Sequence, residues 1–265
     1  MDVLEAGRLL TDGYALRILA AVSYKSKGAQ EVSEEYNIPI AACYRRIKEL
    51  EKAGLIVKSG RILNQKGKRV SIYSSMLKSA ELLYETAARM AEVRGGESLW
   101  DLYCGAGTIG LSMLSPGRNA RPAQVTGVEI VPEAVACAEQ NARLNAEAGR
   151  IPPDAAHFFC ADAGDAAALF AAADTGAAPA PDIVIIDPPR KGTTPELIRE
   201  LARRGVPRVV YVSCDPETLA RDCALFRASG YAVGEVQPVD MFPRTGHVET
   251  VVLLSHKKPD GHINV

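Results

Sequence analysis

The sequence has few of the residues that form disulfide bonds, bind metal ions or anchor a protein at a membrane. It has six cysteines, four histidines and one tryptophan in 265 residues. No two cysteines stand in C-x-x-C spacing, the histidines show no metal-ligand spacing, and the start MDVLEAGRLL lacks a basic region followed by an apolar stretch. No apolar run approaches the roughly 18 residues that a membrane span needs. The sequence therefore predicts a reduced, cytoplasmic protein with no disulfide, metal site, iron–sulfur cluster or membrane contact.

The composition also excludes disordered and fibrous proteins. Hydrophobic residues make up 47% of the chain and charged residues 24%, as in ordinary globular proteins. At roughly 150 residues per domain, the length favours about two domains. We place their boundary where the sequence pattern changes, which gives domains at 1–79 and 80–265.

The net charge of -1 conceals two parts of opposite sign. Residues 1–80 carry 14 Lys and Arg against 8 Asp and Glu, whereas residues 81–265 carry 17 against 24. A basic first part is compatible with a polyanionic partner and equally with a solvated surface. Sequence pattern has to separate these two interpretations.

The first part resembles a winged helix-turn-helix domain over roughly residues 5–75. Apolar spacing predicts helices at about 14–24, 30–36 and 41–53, followed by strands at 55–58 and 70–73 around a basic loop. The resemblance depends mainly on NIPIAACYRRIKELEKAGLI and this loop. It implies that Tyr44, Arg45 and Arg46 lie in a major groove of DNA. Winged helices also bind proteins, and that alternative stays open.

From about residue 80 the pattern becomes that of an α/β protein. Strands rich in Val and Ile alternate with helical segments, as in a parallel sheet flanked by helices. Seven strands ending in a hairpin predict a Rossmann-like methyltransferase sheet. The predicted strands are 99–104, 124–130, 157–162, 182–187, 208–214, 231–239 and 248–255.

A glycine loop follows the first of these strands and predicts a nucleoside site. The loop DLYCGAGT supplies four candidate ligand-binding residues, Tyr103, Gly105, Gly107 and Thr108. Glu129 ends the second strand, where a carboxylate can accept both ribose hydroxyls, and Asp162 ends the third, near the place for an adenine amino group. Gly105, Gly107 and Gly110 have the G-x-G-x-x-G spacing that dinucleotide binders also use, but we expect S-adenosylmethionine rather than NAD as the ligand.

The order of the later motifs resembles the RNA uracil-5-methyltransferase family over about residues 80–255. These motifs are DLYCGAGTIGL, GVEIVPEAV, DPPRKG, YVSCDPETLARD and VDMFPRTGHVETVVLL. The resemblance implies an S-adenosylmethionine-dependent enzyme that forms 5-methyluridine in rRNA or tRNA. It also implies that Asp187 orients the flipped base near the methyl donor, and that Glu249 removes the C5 proton. Arg190 and Arg244 are candidates for phosphate contact.

Cys214 is the expected nucleophile of this reaction. Because uracil C5 is a poor nucleophile, a thiolate must first add to C6. Cys214 precedes a predicted helix whose start is marked by Asp215 and Pro216, and the positive end of that helix is expected to favour the thiolate.

Two departures from the family favour a second interpretation. Residues 71–78 replace the Phe-x-Gln-x-Asn segment whose Gln contacts S-adenosylmethionine, and the family's N-terminal RNA-binding barrel is replaced by the winged helix. The alternative is a nucleic-acid-binding regulator whose methyltransferase domain senses a ligand or is vestigial.

Overall fold

The chain separates into two compact units. The computed structural model describes residues 9, 12–23, 25–63, 67–176, 178–240 and 248–256. The first unit comprises the described residues up to Leu82 together with Asp240, and the second comprises Leu83–Val239 and the described residues from Val248. Helix α4 (Leu77–Ala91) contains both this division and the boundary predicted at 79/80. The predicted boundary therefore stays a prediction.

The described part of the first unit contains helices and a small antiparallel sheet. The order is α1 (Gly13–Ser23), β1 (Lys27–Gly28), α2 (Ala29–Glu35), α3 (Ile40–Lys52), β2 (Ile56–Leu63) and β3 (Arg69–Ser75). The sheet order is β1-β3-β2. Cys43, Ile47 and Leu50 are buried on one side of α3 and join a core that includes Ile18 and Val32. This helix-turn-helix with a β2–β3 wing confirms the predicted N-terminal fold.

A seven-stranded sheet with helices between most of its strands forms the second unit. After α4 come β4 (Ser98–Leu102), α5 (Thr108–Met113), β5 (Gln124–Glu129), α6 (Pro132–Glu147), β6 (Ala156–Cys160), α7 (Ala166–Asp174), β7 (Ile183–Ile186), α8 (Pro195–Arg203), β8 (Arg208–Ser213), α9 (Pro216–Ala228), β9 (Tyr231–Val239) and β10 (Glu249–His256). The sheet order is β6-β5-β4-β7-β8-β10-β9. Strands β4 to β8 run parallel, and β10 is antiparallel to both β8 and β9.

The core of this unit follows from the strand sequences. All four residues of β7 are β-branched and fully buried, as expected for a central parallel strand covered on both faces. Trp100 of β4 stacks on Phe170, with ring centroids 5.1 Å apart. Because β10 returns antiparallel, its first residue lies at the edge of the sheet where β7 and β8 end. Among the described residues, no helix combines the length and the hydropathy that a bilayer crossing requires.

Candidate active site

The loop after β4 is folded tightly on one side and open on the other. Tyr103, Gly105 and Gly107 all have left-handed backbone, with φ of 62°, 55° and 75°. A Cβ on Gly107 would lie 2.7 Å from the Phe158 ring, whereas a Cβ on Gly105 would meet nothing within 4 Å. A side chain at Gly107 would therefore be both strained and crowded, while Gly105 faces free space in which a ligand could approach the backbone.

Glu129 lies against this loop. One of its carboxylate oxygens accepts a hydrogen bond from the Gly105 amide at 3.0 Å, and the other accepts from the Val131 amide at 3.0 Å. A carboxylate has about four lone-pair sites, so two such bonds leave capacity for ribose hydroxyls. The exposed Thr108 accepts a hydrogen bond from Tyr84 at 3.1 Å. Glu129 and the glycine loop are thus brought together as predicted for a nucleoside site.

Asp162 makes its hydrogen bond outside the glycine loop. It is exposed, and its side chain accepts the Gly164 amide at 2.8 Å in a turn of its own. Burial raises the pKa of the Tyr103 phenol, and the negative charge of Asp162 adds to this effect. Asp162 is therefore close enough to Tyr103 to act on it electrostatically. Unlike Glu129, it accepts no hydrogen bond from the Gly105 amide in the described structure.

Sequence reasoning missed Asp101, a fully buried carboxylate beneath the loop. Its Oδ2 accepts the Gly110 amide at 2.8 Å, and its Oδ1 is buried without a hydrogen-bond partner. Burial raises its pKa to about 7, with the charge of Glu129 adding to the effect. The available signal was one carboxylate in the otherwise apolar strand SLWDL.

Cys214, Glu249 and Asp187 come together at one edge of the sheet. The β8–β10 pairing matches Ser213 with Thr250, so Cys214 and Glu249 are the next residues along these two antiparallel strands. Asp187 follows β7, which is parallel to β8, and its amide donates to the Leu102 carbonyl at 3.3 Å. Three segments far apart in sequence therefore meet close to the start of the glycine loop.

The ionisable groups at this edge act on one another. Burial raises the pKa of the Cys214 thiol; Glu249 and Asp187 add to the effect, and Arg190 opposes it. Burial raises the pKa of Asp187 to about 7, with Glu249 and Asp101 adding. Burial also raises the pKa of Glu249, which Arg190 again opposes. The exposed Arg190 is thus a positive charge within reach of both the thiol and a carboxylate.

Burial raises the pKa of the Cys214 thiol, so the expectation that the start of helix α9 favours a thiolate there stays a prediction. The capping carboxylate of Asp215 accepts the amides of Glu217 at 3.1 Å and Thr218 at 3.0 Å. This cap places a negative charge at the helix end that was expected to be positive. Arg190 supplies the charge that favours ionisation of this half-buried thiol.

Three residues of the first unit were predicted to contact the major groove of DNA, and their surroundings differ. Tyr44 and Arg45 are exposed on α3. The Arg46 guanidinium instead binds both oxygens of Asp12, at 3.0 and 2.6 Å, and also pairs with Glu49. Two carboxylates thus neutralise Arg46, unlike the other two candidates. The predicted phosphate contact Arg244 lies outside the described residues.

Comparison with known proteins identifies the family of the second unit. A family model described as tRNA (uracil-5-)-methyltransferase matches residues 74–257. The chain is a member of this family. Asp187, Cys214, Glu249 and the glycine loop all lie within this uracil methyltransferase match. A second family model, winged helix-turn-helix DNA-binding, matches residues 29–57, which contain α2 and α3.

Individual proteins that are similar to this chain extend this result. An uncharacterized RNA methyltransferase of Nitratidesulfovibrio vulgaris is 43% identical over 71% of this chain and 37% of its own length. The Pyrococcus abyssi tRNA (uracil-54, C5)-methyltransferase, solved with S-adenosyl-L-homocysteine, is 30% identical, with a TM-score of 0.53 over 68% of this chain and 39% of its own. The chain spans only about two fifths of these relatives' length.

A more distant structure shares the fold alone. The Synechocystis magnesium protoporphyrin IX methyltransferase, solved with bound S-adenosylmethionine, is 12% identical. It covers 69% of this chain and 79% of its own length with a TM-score of 0.50. This likeness agrees with the predicted Rossmann-like methyltransferase sheet.

Proposed function

We propose that this protein is an S-adenosylmethionine-dependent RNA methyltransferase that forms 5-methyluridine. The observation that carries the proposal is the proximity of Cys214, Glu249 and Asp187: Cys214 follows the end of β8, and Glu249 begins the neighbouring strand β10. A nucleophile, a base and a second carboxylate within one cluster are what C5 methylation of uracil requires. The family match and the relatives named as RNA methyltransferases support RNA as the substrate.

The residues of the glycine loop suit the proposed methyl donor. The free space at Gly105 can admit a nucleoside, and Glu129 retains lone pairs for its ribose hydroxyls. Tyr103, Gly107 and Thr108 would complete the cradle, with Asp162 at the adenine side. When bound, S-adenosylmethionine supplies the methyl group.

Cys214 would begin the reaction. After the thiol loses its proton, the sulfur forms a bond to C6 of a uracil flipped into the site. The C5=C6 electron pair then moves toward C5 and O4, so that C5 becomes nucleophilic. Arg190 offsets the charge of the thiolate, and Asp187 would hold the base in position.

Glu249 would complete the reaction. Once C5 carries the methyl group, the carboxylate accepts the remaining C5 proton. The electrons of that C–H bond re-form the C5=C6 bond, and the Cys214 sulfur leaves as a thiolate. A carboxylate whose pKa is raised by burial is a stronger base than an exposed one, which suits this step.

A 5-fluorouridine RNA tests the covalent route. The fluorine at C5 cannot leave as a proton, so the methylated adduct remains on the enzyme. We expect a stable protein–RNA species whose mass maps to the peptide containing Cys214, and no such species in Cys214→Ala. The exposed Cys160 gives a matched control, because Cys160→Ala should still form the adduct. A trapped species in Cys214→Ala would contradict the proposal.

The winged-helix match favours a second function for the first unit, which is nucleic-acid contact. The exposed Tyr44 and Arg45 of α3 support it. Such contact could bring the substrate to the enzyme or act alone in a regulator. Calorimetry tests for a regulator with a vestigial methyltransferase domain, which absence of S-adenosylmethionine binding with retained duplex binding would support. The covalent adduct with 5-fluorouridine RNA separates the enzyme from a regulator that senses the ligand.

A further inference from the structure

One buried carboxylate joins several elements around the candidate active site. Asp222 of α9 is fully buried. Its Oδ2 accepts hydrogen bonds from the Thr193 amide at 3.0 Å and from the Tyr211 hydroxyl at 2.7 Å. Its Oδ1 accepts from Arg221 at 2.8 Å. Burying a carboxylate is unfavourable unless charge and hydrogen bonds compensate for its lost hydration, and these contacts provide that compensation.

The loop that follows Arg190 wraps closely around this carboxylate. Gly192 has a φ of 77°, and a Cβ there would overlap both Asp222 Oδ2 and Arg221 Nη2. Arg221 also donates to the Lys191 carbonyl at 2.8 Å. Only glycine permits this approach. The backbone from Lys191 to Thr193 is therefore held directly by the pair of side chains from α9.

The same loop continues to the proposed cofactor site. The Thr193 hydroxyl and the Tyr103 hydroxyl lie 3.1 Å apart within hydrogen-bond range, and Thr193 is buried. Tyr103 begins the left-handed loop that Gly105 and Gly107 continue. A continuous set of hydrogen bonds thus runs from α9 through the Arg190 loop to the glycine loop.

We propose that Asp222, with Arg221, is a positioning residue that holds Arg190 beside Cys214. The backbone of residues 191–193 is fixed through the Lys191 carbonyl, the Gly192 turn and the Thr193 amide, immediately after Arg190. Tyr211 ties the same carboxylate to β8, three residues before Cys214. The nucleophile and its neighbouring cation are therefore positioned relative to one shared group. This role rests on the proposed function, in which Cys214 is the nucleophile.

The test follows the alkylation of each cysteine by iodoacetamide as a function of pH, read by peptide mass spectrometry on the full chain without RNA or cofactor. The charged groups that act on Cys214 are Glu249 on β10 and Asp187 and Arg190 after β7. If Arg190 moves away, the two carboxylates remain and the thiol ionises at higher pH. We expect Asp222→Asn to shift the Cys214 profile to higher pH, with the exposed Cys160 as an internal reference.

Arg221→Gln keeps the test valid if Asp222→Asn does not fold. The Arg221 side chain is half exposed, so its replacement should preserve the fold while releasing Lys191. We expect the same direction of shift, together with a loss of methyl transfer of up to about 100-fold in kcat. Arg227→Gln, also exposed on α9, is the matched control and should leave the Cys214 profile unchanged.

Two outcomes separate this role from its alternatives. Folded Asp222→Asn and Arg221→Gln variants whose Cys214 profiles equal that of the wild type would overturn the proposal, even if their melting temperatures fell. Because alkylation needs no turnover, a wild-type protein that methylates no RNA would contradict the proposed function, while a shifted profile in these variants would still support the positioning of Arg190.

Discussion

Arg190 is an exposed side chain whose charge acts on the ionisation of both Cys214 and Glu249. Its guanidinium lowers the pKa of each, against the effect of burial. In the proposed reaction both groups act in their deprotonated forms, so activity rises with pH. Removing the cation raises both pKa values and moves this rise to higher pH.

We therefore expect Arg190→Ala to move the pH–rate profile of methyl transfer toward alkaline pH. A displacement of the profile by one pH unit lowers the rate at pH 7 by roughly tenfold, because the ionised fraction changes tenfold for each unit of pKa. Arg190→Lys retains the charge and should keep most of the wild-type profile. If Arg190→Ala lowered affinity for RNA while leaving the profile in place, Arg190 would be a phosphate contact alone.

Asp101 makes the stability of the fold depend on pH. Its pKa in the folded protein is about 7, above the ordinary value of 3.8, because the side chain is fully buried. Between these values the folded state holds a proton that the unfolded state has lost. The free energy of unfolding should therefore fall as pH rises from 4 to 7, by at most ~1.4 kcal/mol per pH unit from this group.

Asp101→Asn should flatten this part of the pH dependence. An amide oxygen can still accept the Gly110 amide, but the side chain no longer titrates. Denaturant unfolding at pH 5, 6, 7 and 8 measures the effect, and Asp154→Asn at an exposed position is the control. A slope for Asp101→Asn equal to that of the wild type would mean that Asp101 is not the titrating group.

At the scale of elements, helix α3 places two arginines that are adjacent in sequence in different surroundings. Arg45 is exposed, whereas Arg46 is bound to Asp12 and Glu49. Arg45→Gln should weaken duplex binding and reduce the slope of log affinity against log salt by about one, as for the loss of one phosphate contact. Arg46→Gln should leave that slope unchanged and lower the melting temperature. Equal salt slopes for both variants would contradict this assignment.

The sequence predicted the bounds of some strands more closely than those of others. The prediction for β9 has the observed bounds, and that for β7 includes one extra residue at each end, because Asp182 and Asp187 flank its buried run. The wing strand β2 extends to Leu63, well beyond the predicted residue 58. Most of its second half is exposed, including the apolar Ile62 and Leu63, and it is held by backbone pairing with β3, so a buried hydrophobic pattern could not reveal it.

Local sequence pattern also revealed only part of the candidate site. Glycine spacing and strand-end carboxylates indicated the loop and Glu129, and the family motifs indicated Cys214. The partners of Asp222 come from a loop, a strand and the neighbouring residue, and no local pattern marks such a group. The pairing of Arg46 with Asp12 likewise joins positions far apart in sequence.

At the scale of the whole molecule, two units with separate cores should unfold in separate transitions. The single tryptophan, Trp100, is buried in the core of the sheet unit, so its fluorescence reports that unit alone. Far-ultraviolet circular dichroism reports the helices of both. At 100 times its Kd, S-adenosylmethionine should raise the free energy of unfolding of the sheet unit by about 2.7 kcal/mol. Only the transition followed by Trp100 fluorescence should therefore shift. A change in the other transition would mean that the ligand binds elsewhere.

The Phe158 ring also bears on how this protein can change during evolution. A Cβ on Gly107 or on Gly127 would overlap this ring, although the two glycines lie in different segments of the sheet unit. A larger residue at Gly127 therefore requires a smaller residue at position 158, and its Cβ would also lie 3.0 Å from the Cys104 sulfur. A new side chain at Gly127 should thus arise only in lineages that have also changed position 158, and loss of the Phe158 ring leaves a cavity next to the glycine loop.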